Sequence, residues 1–169
     1  MFAAALRVPL GNFTSDQARG LAKLVREYSG DEITFTVDQN LLIRHLPESH
    51  LTYVYNALVD LKLADVGYGT SLDITACPGT DTCNLGIANT TSTSGEIERI
   101  LKEEYETELQ QKAPVSIKLS GCMNSCGQHM IANIGFQGMS IKLKDGRVIP
   151  ATQIVLGGGV LGDGNGAFA

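Results

Sequence analysis

Four cysteines fall in two pairs, Cys77-Pro-Gly-Thr-Asp-Thr-Cys83 and, after 38 intervening residues, Cys122-Met-Asn-Ser-Cys126. Gly79 lies inside the first pair, and Gly121 and Gly127 flank the second. Thiolates are soft donors that suit zinc or iron–sulfur clusters. A cluster needs four of them converging from loops, because helices and strands send neighbouring side chains in fixed, diverging directions. Glycines beside them let backbone N–H groups approach the sulfurs and offset their negative charge.

Other chemistries compete for the same residues. Structural zinc favours pairs two to four residues apart, and the five-residue gap between Cys77 and Cys83 is longer than that. A structural disulfide conflicts with a chain that shows no export signal. Four unrelated buried cysteines remain open, although two pairs in two glycine-containing loops argue against coincidence. From the residues alone an iron–sulfur cluster leads.

The elements that must position the thiols follow from periodicity. Ala5–Leu10 reads as a strand, Thr14 or Ser15 caps a helix to about Tyr28, and Ser29-Gly30 stops it. Glu32–Val37 and Leu41–Leu46 read as strands joined by Asp38-Gln39-Asn40. Pro47 opens a second helix to about Leu63. A glycine-rich joint, Val66–Thr70, divides the chain into 1–66 and 67–169. Beyond it, Ser71–Ala76 and Val115–Leu119 read as strands that run into the two cysteine pairs. Between them, Ser94 or Thr93 caps a helix over Gly95–Gln111, with Ile97, Ile100, Leu101 and Tyr105 on its buried side and a solvated glutamate face. Ile131–Phe136, Met139–Leu143 and Arg147–Leu156 follow as strands, the last two joined by an Asp145-Gly146 hairpin. The fold class is α+β: a small strand–helix–strand–strand–helix unit, then an α/β unit with a mixed sheet whose strand-end loops hold the cysteines.

Composition narrows the function. The 169 residues (18.0 kDa) are 43% hydrophobic and 18% charged, enough apolar material for a core and too much for a disordered chain. A net charge of −5 argues against a nucleic-acid partner, since a duplex binder needs a basic face. No apolar run reaches the roughly 18 residues that span a bilayer, and MFAAALRVPL lacks a basic n-region. The expectation is a cytoplasmic protein without membrane contact. The glycine-rich end, LGGGVLGDGNGAFA, reads as a loop cut before its natural continuation. It has neither the lysine nor the following helix of a phosphate loop.

The residues also carry a family resemblance. ITACPGTDTCNLGIANT and IKLSGCMNSCGQHMIANIGF resemble the cluster and sirohaem motif of the sulfite and assimilatory nitrite reductases. FTVDQNLLIRHLP is similar to the strand–turn–strand of that family's ferredoxin-like half-domain, and the likeness extends from about Leu6 to Gly166. It implies that 1–66 is a half ferredoxin-like unit and 67–169 a sirohaem and [4Fe–4S] binding unit. By the same resemblance Cys77, Cys83, Cys122 and Cys126 match the cluster ligands, and the sulfur of Cys126 bridges to the sirohaem iron. Asn124 matches a position beside the haem face, and Gln39 and Asn40 match the turn that approaches the tetrapyrrole. The bland reading of those three is ordinary turn chemistry.

The resemblance further implies a six-electron reduction of nitrite to ammonia or sulfite to sulfide, with electrons from ferredoxin or a flavoprotein. This chain matches only one of the family's two tandem copies. The cations that hold the substrate anion lie mainly in the other copy, so the expectation is a fragment or subunit, inactive alone, whose partner is the missing N-terminal repeat. Its exposed sheet edge would pair with that repeat, or with itself in a homodimer. Two other functions stay open: a stand-alone iron–sulfur electron-transfer module, and a zinc-stapled interaction domain. Arg44 and Lys118 read as single surface cations, and His45 and His50 as surface or capping residues. His129 reads as a structural residue near the cluster, and Lys142, Lys144 and Arg147 as a solvated edge.

Overall fold

Three strands and two helices build the first of two units, Met1–Tyr68, in the computed structural model, which describes residues 1–111 and 113–159. Strand β1 spans Phe2–Leu6. It ends earlier than the apolar pattern suggests because Leu10 takes a left-handed φ of 58°, so that Pro9–Gly11 turns as a short 3₁₀ segment. Helix α1, Ser15–Tyr28, begins on a capping box: the Thr14 hydroxyl accepts from Gln17 N, and the Gln17 carboxamide accepts from Thr14 N. Strands β2 (Ile33–Phe35) and β3 (Leu41–Leu46) form a hairpin, followed by a 3₁₀ turn at Glu48–His50. Helix α2 covers Leu51–Asp60 and stops short of Leu63 because Lys62 turns to a left-handed φ of 56°.

The sheet is antiparallel in the order β1-β3-β2. This βαββα order is a ferredoxin-like fold without its last strand. One contiguous apolar core fills the unit, with Leu6 and Val8 from the first strand and turn, Leu21, Leu24 and Val25 from α1, Leu41, Ile43 and Leu46 from β3, and Val54 and Leu58 from α2.

The second unit, Gly69–Ala169, is built differently. Strand β4 is only Thr75–Ala76, because the side chains of Thr70 and Asp73 close a turn over the preceding residues. Helix α3, Thr90–Glu104, begins several residues before the glutamate-rich segment. Asn89 caps it, accepting from Ser92 N at 2.9 Å. The helix breaks at Tyr105, which is exposed rather than buried, and α4 covers Glu106–Gln111. Strand β5 (Ile117–Ser120) pairs in parallel with β4 and with β6 (Ile134–Lys142), and β6 pairs antiparallel with β7 (Val148–Leu156). The sheet β4-β5-β6-β7 is therefore mixed.

Two expected strands are one here. His129–Ile131 is a 3₁₀ turn, and β6 runs unbroken through Gly138. A Cβ at Gly138 would lie 2.1 Å from Gly121 O, so the glycine lets the strand continue beneath the cysteine loop instead of ending it. The Asp145-Gly146 turn forms as expected, with Arg147 N donating to the Asp145 carboxylate at 3.0 Å. Most of the glycine-rich end lies outside the described residues.

Candidate iron–sulfur site

Both cysteine pairs leave the C-terminal ends of parallel neighbours, β4 and β5, where crevices form in parallel sheets. The register sets them side by side, with Cys77 N donating to Leu119 O at 3.1 Å. From there the Cys77–Cys83 loop folds back through bonds from Thr80 N to Ala88 O and from Cys83 N to Gly79 O. The two loops meet backbone to backbone. Ile87 N and Ala88 N both donate to Gly121 O, at 2.8 and 3.1 Å. A Cβ on Gly121 would lie 2.7 Å from Gly79 Cα, so a side chain here would force the loops apart.

Between the loops lies a cavity of about 210 Å³ lined by Cys77, Cys83, Cys122 and Cys126 together with Pro78, Leu85 and Asn124. One water needs only roughly 10–15 Å³ on the same measure, so the space suits a multi-atom group. Cys122 is buried, Cys77 half-buried, and Cys83 and Cys126 are exposed at the open side. Among the described residues no three His, Cys, Asp or Glu side chains converge closely enough to hold a single metal ion. Four thiols lining one cavity are a donor set that suits an iron–sulfur cluster.

The surroundings suit thiolate charge. Gly121 N donates to Cys77 Sγ at 3.1 Å. The Thr90 hydroxyl donates to Cys77 O and lies 3.9 Å from its sulfur, fixing the loop's first residue to the start of α3. On the other loop Ser120 Oγ, fully buried, accepts from Gly127 N at 3.1 Å. Gly127 packs tightly there, since a Cβ would lie 1.9 Å from Leu119 O. Sequence reasoning missed Thr90 and Ser120. Thr90 sits in a Thr-Ser run with no spacing signal, whereas Ser120, directly before Gly121-Cys122, could have been noticed.

The remaining expected site residues divide. Asn124 lines the cavity and is exposed. Gln39 and Asn40 belong to the first unit. Gln39 has a left-handed φ of 64°, and Asn40 is 1% exposed, with its side-chain oxygen accepting from Val8 N at 2.8 Å. His129 is buried, and its Nε2 lies 3.1 Å from Gln137 Oε1. His45 is exposed, and His50 stands at the start of α2 with Nδ1 3.4 Å from Tyr28 O. Arg44 pairs at the surface with Glu32. Lys118 is not a surface cation: it is 8% exposed, because β5 lies between two parallel neighbours and buries every one of its residues.

Two family models cover nearly the whole chain. Residues 1–61 match the nitrite/sulfite reductase ferredoxin-like half domain, and residues 68–167 match the nitrite and sulphite reductase 4Fe-4S domain. The chain belongs to the nitrite and sulfite reductase family. It is 32% identical over 155 residues to the ferredoxin–nitrite reductase of Synechococcus elongatus, covering 92% of this chain and 29% of that protein. Against sulfite reductase [ferredoxin] 1 of Mycolicibacterium paratuberculosis it is 29% identical, covering 92% and 28%. The structure of Mycobacterium tuberculosis NirA protein superposes with a TM-score of 0.84 at 27% identity, covering 98% of this chain and 30% of that one. This reductase-family chain thus spans less than a third of the length of each of these relatives, and comprises a half ferredoxin-like unit and a 4Fe-4S unit.

Proposed function

We propose that this chain is the cluster-bearing part of a sirohaem-dependent reductase that converts nitrite to ammonia or sulfite to sulfide. The observation that carries the reading is the convergence of four thiols from two strand-end loops on one cavity, within the segment matched by the 4Fe-4S model. Residues 1–66 form the ferredoxin-like half-domain and 67–169 the cofactor-binding domain. Cys77, Cys83, Cys122 and Cys126 would hold a [4Fe–4S] cluster, and Cys126, which is exposed, would also help hold sirohaem. When bound, these groups supply single-electron relay and an iron at which the anion is reduced. The chain's own residues hold the thiols apart around the cavity, donate N–H to sulfur, and bring Asn124 to its rim. In the first unit Asn40 ties Val8 to the turn that carries Gln39, and by the family likeness Gln39 and Asn40 would contribute to holding the tetrapyrrole.

All six arginines pair with a carboxylate: Arg7 with Asp65, Arg19 with Asp16, Arg26 with Asp31, Arg44 with Glu32, Arg99 with Glu96 and Glu103, and Arg147 with Asp145. Arginines engaged in such pairs are less available as ligands for a substrate anion or for haem carboxylates. This supports a second repeat of the same reductase as the partner that supplies them, so that the isolated chain does not turn over. The ferredoxin in the names of both relatives supports ferredoxin as electron donor. No described helix is long and apolar enough to cross a membrane, which is consistent with a cytoplasmic setting.

The test is anaerobic expression with sirohaem synthesis, followed by iron and acid-labile sulfide counts and a visible spectrum. Four irons and four sulfides per chain, as the 4Fe-4S domain requires, are expected. Sharp haem bands would appear only when the second repeat is present. One zinc and no iron would overturn the reading in favour of a structural site.

A further inference from the structure

On the strand that leads into the second cysteine pair, Lys118 stands apart because it is a buried cation. It lies on β5 opposite Thr75, and its Nζ is 3.4 Å from Thr75 Oγ1 and 3.4 Å from Gln128 Oε1. Thr75 is two residues before Cys77, and Gln128 is two residues after Cys126. Gln128 itself is held in a left-handed conformation, φ 59°, at the turn that closes the second cysteine loop. The lysine therefore reaches from the strand that feeds one thiol pair to the loop that follows the other. A buried lysine is rare, because desolvating an ammonium is costly unless something negative or hydrogen-bonding compensates.

A cluster held by four thiolates is anionic and becomes more so when it takes up an electron. A fixed positive charge buried between the elements that carry the thiols favours the reduced form more than the oxidised one. We propose that Lys118 is a positioning residue with an electrostatic role: its ammonium spans the two cysteine loops and raises the reduction potential of the cluster they hold. This rests on the cluster reading above. It adds that the chain helps set the potential with a buried cation of its own, independently of any cation another repeat supplies.

The test uses the full-length reductase loaded anaerobically, reduced stepwise with dithionite, with the cluster's midpoint read by electron paramagnetic resonance. Lys118→Met, similar in length but neutral, should retain its iron and lower the midpoint by at least the 59 mV of a tenfold change in a one-electron couple. Lys118→Arg should stay close to wild type. A Lys118→Met enzyme with full iron and an unchanged midpoint would overturn the proposal. If Lys118→Met does not load, Lys118→Gln is read in the same way. If both neutral variants fail while Lys118→Arg loads normally, the charge is needed for the anionic cluster to form, which supports the proposal. If Lys118→Arg fails too, the lysine's shape rather than its charge matters, and the proposal falls. Absence of iron from the wild-type enzyme would instead sink the cluster reading itself.

Discussion

In the first unit the interior is closed by Leu21, Leu41, Ile43, Leu46 and Val54, branched aliphatic side chains contributed by every layer. In the second, the residues of comparable burial include Thr75, Thr90, Ser94, Lys118, Ser120 and His129, beside only a few aliphatics such as Ile74, Ile117 and Leu119. Fully burying a leucine-sized side chain contributes about 1.5–3 kcal/mol, so the first unit holds itself together by apolar burial. The second surrounds a cavity with small residues, hydroxyls and tightly packed backbone. On the proposed reading its cysteine loops would hold a cluster, whose binding would then add to the unit's folding free energy. One half is a scaffold complete in itself, and the other is a socket.

Five experiments sharpen or break this contrast. Stripping the cluster from a loaded chain should abolish amide-exchange protection in Ile117–Ser120 and Ile134–Lys142 while sparing Leu41–Leu46; equal loss in both units would erase the distinction. Gly127→Ala, which places a methyl group 1.9 Å from Leu119 O, should destabilise the second unit by about 3–5 kcal/mol and lower iron per chain. Leu41→Ala should cost about 2–5 kcal/mol in the first unit, seen by denaturant titration, with iron content unchanged. Thr14→Ala removes the cap of α1 and should cost about 1 kcal/mol, again without effect on iron. The smallest effect is expected on α3, where the neighbouring Arg99 guanidinium holds the Glu96 carboxyl below its usual 4.5. A lowered folded-state value stabilises the protein above pH 4.5 and is lost as pH falls through it. Glu96→Gln should therefore melt slightly earlier than wild type near neutrality, and the two should converge in acid.

Much of this contrast could be read from the residues. Thr14 or Ser15 as cap and Ser29-Gly30 as stop gave α1 its ends, the apolar run Leu41–Leu46 gave β3, and the strand-end cysteine pairs lie on one cavity, because each is a local pattern with a local cause. What stayed hidden depended on distant neighbours. Gly138 looks like a break until Gly121 is known to lie against it. Lys118 looks like a surface residue until β5 is known to have a parallel strand on each side. The start of α3 was missed because Thr90 and Thr91 are poor helix formers, and tertiary bonds to Cys77 O and Pro78 O hold them there.

The parallel pairing of β4 with β5 also has a consequence in time. A ribosome adding about 5–20 residues per second completes the first unit, whose last core residues precede Tyr68, well before it reaches Cys122. Cys77 and Cys83 then wait, as loose thiols on an unfinished chain, until the whole α3–α4 crossover has been made and β5 can dock. On the proposed reading a cluster would be loaded only after β5 has docked, and Cys83 and Cys126 are the exposed thiols it would meet.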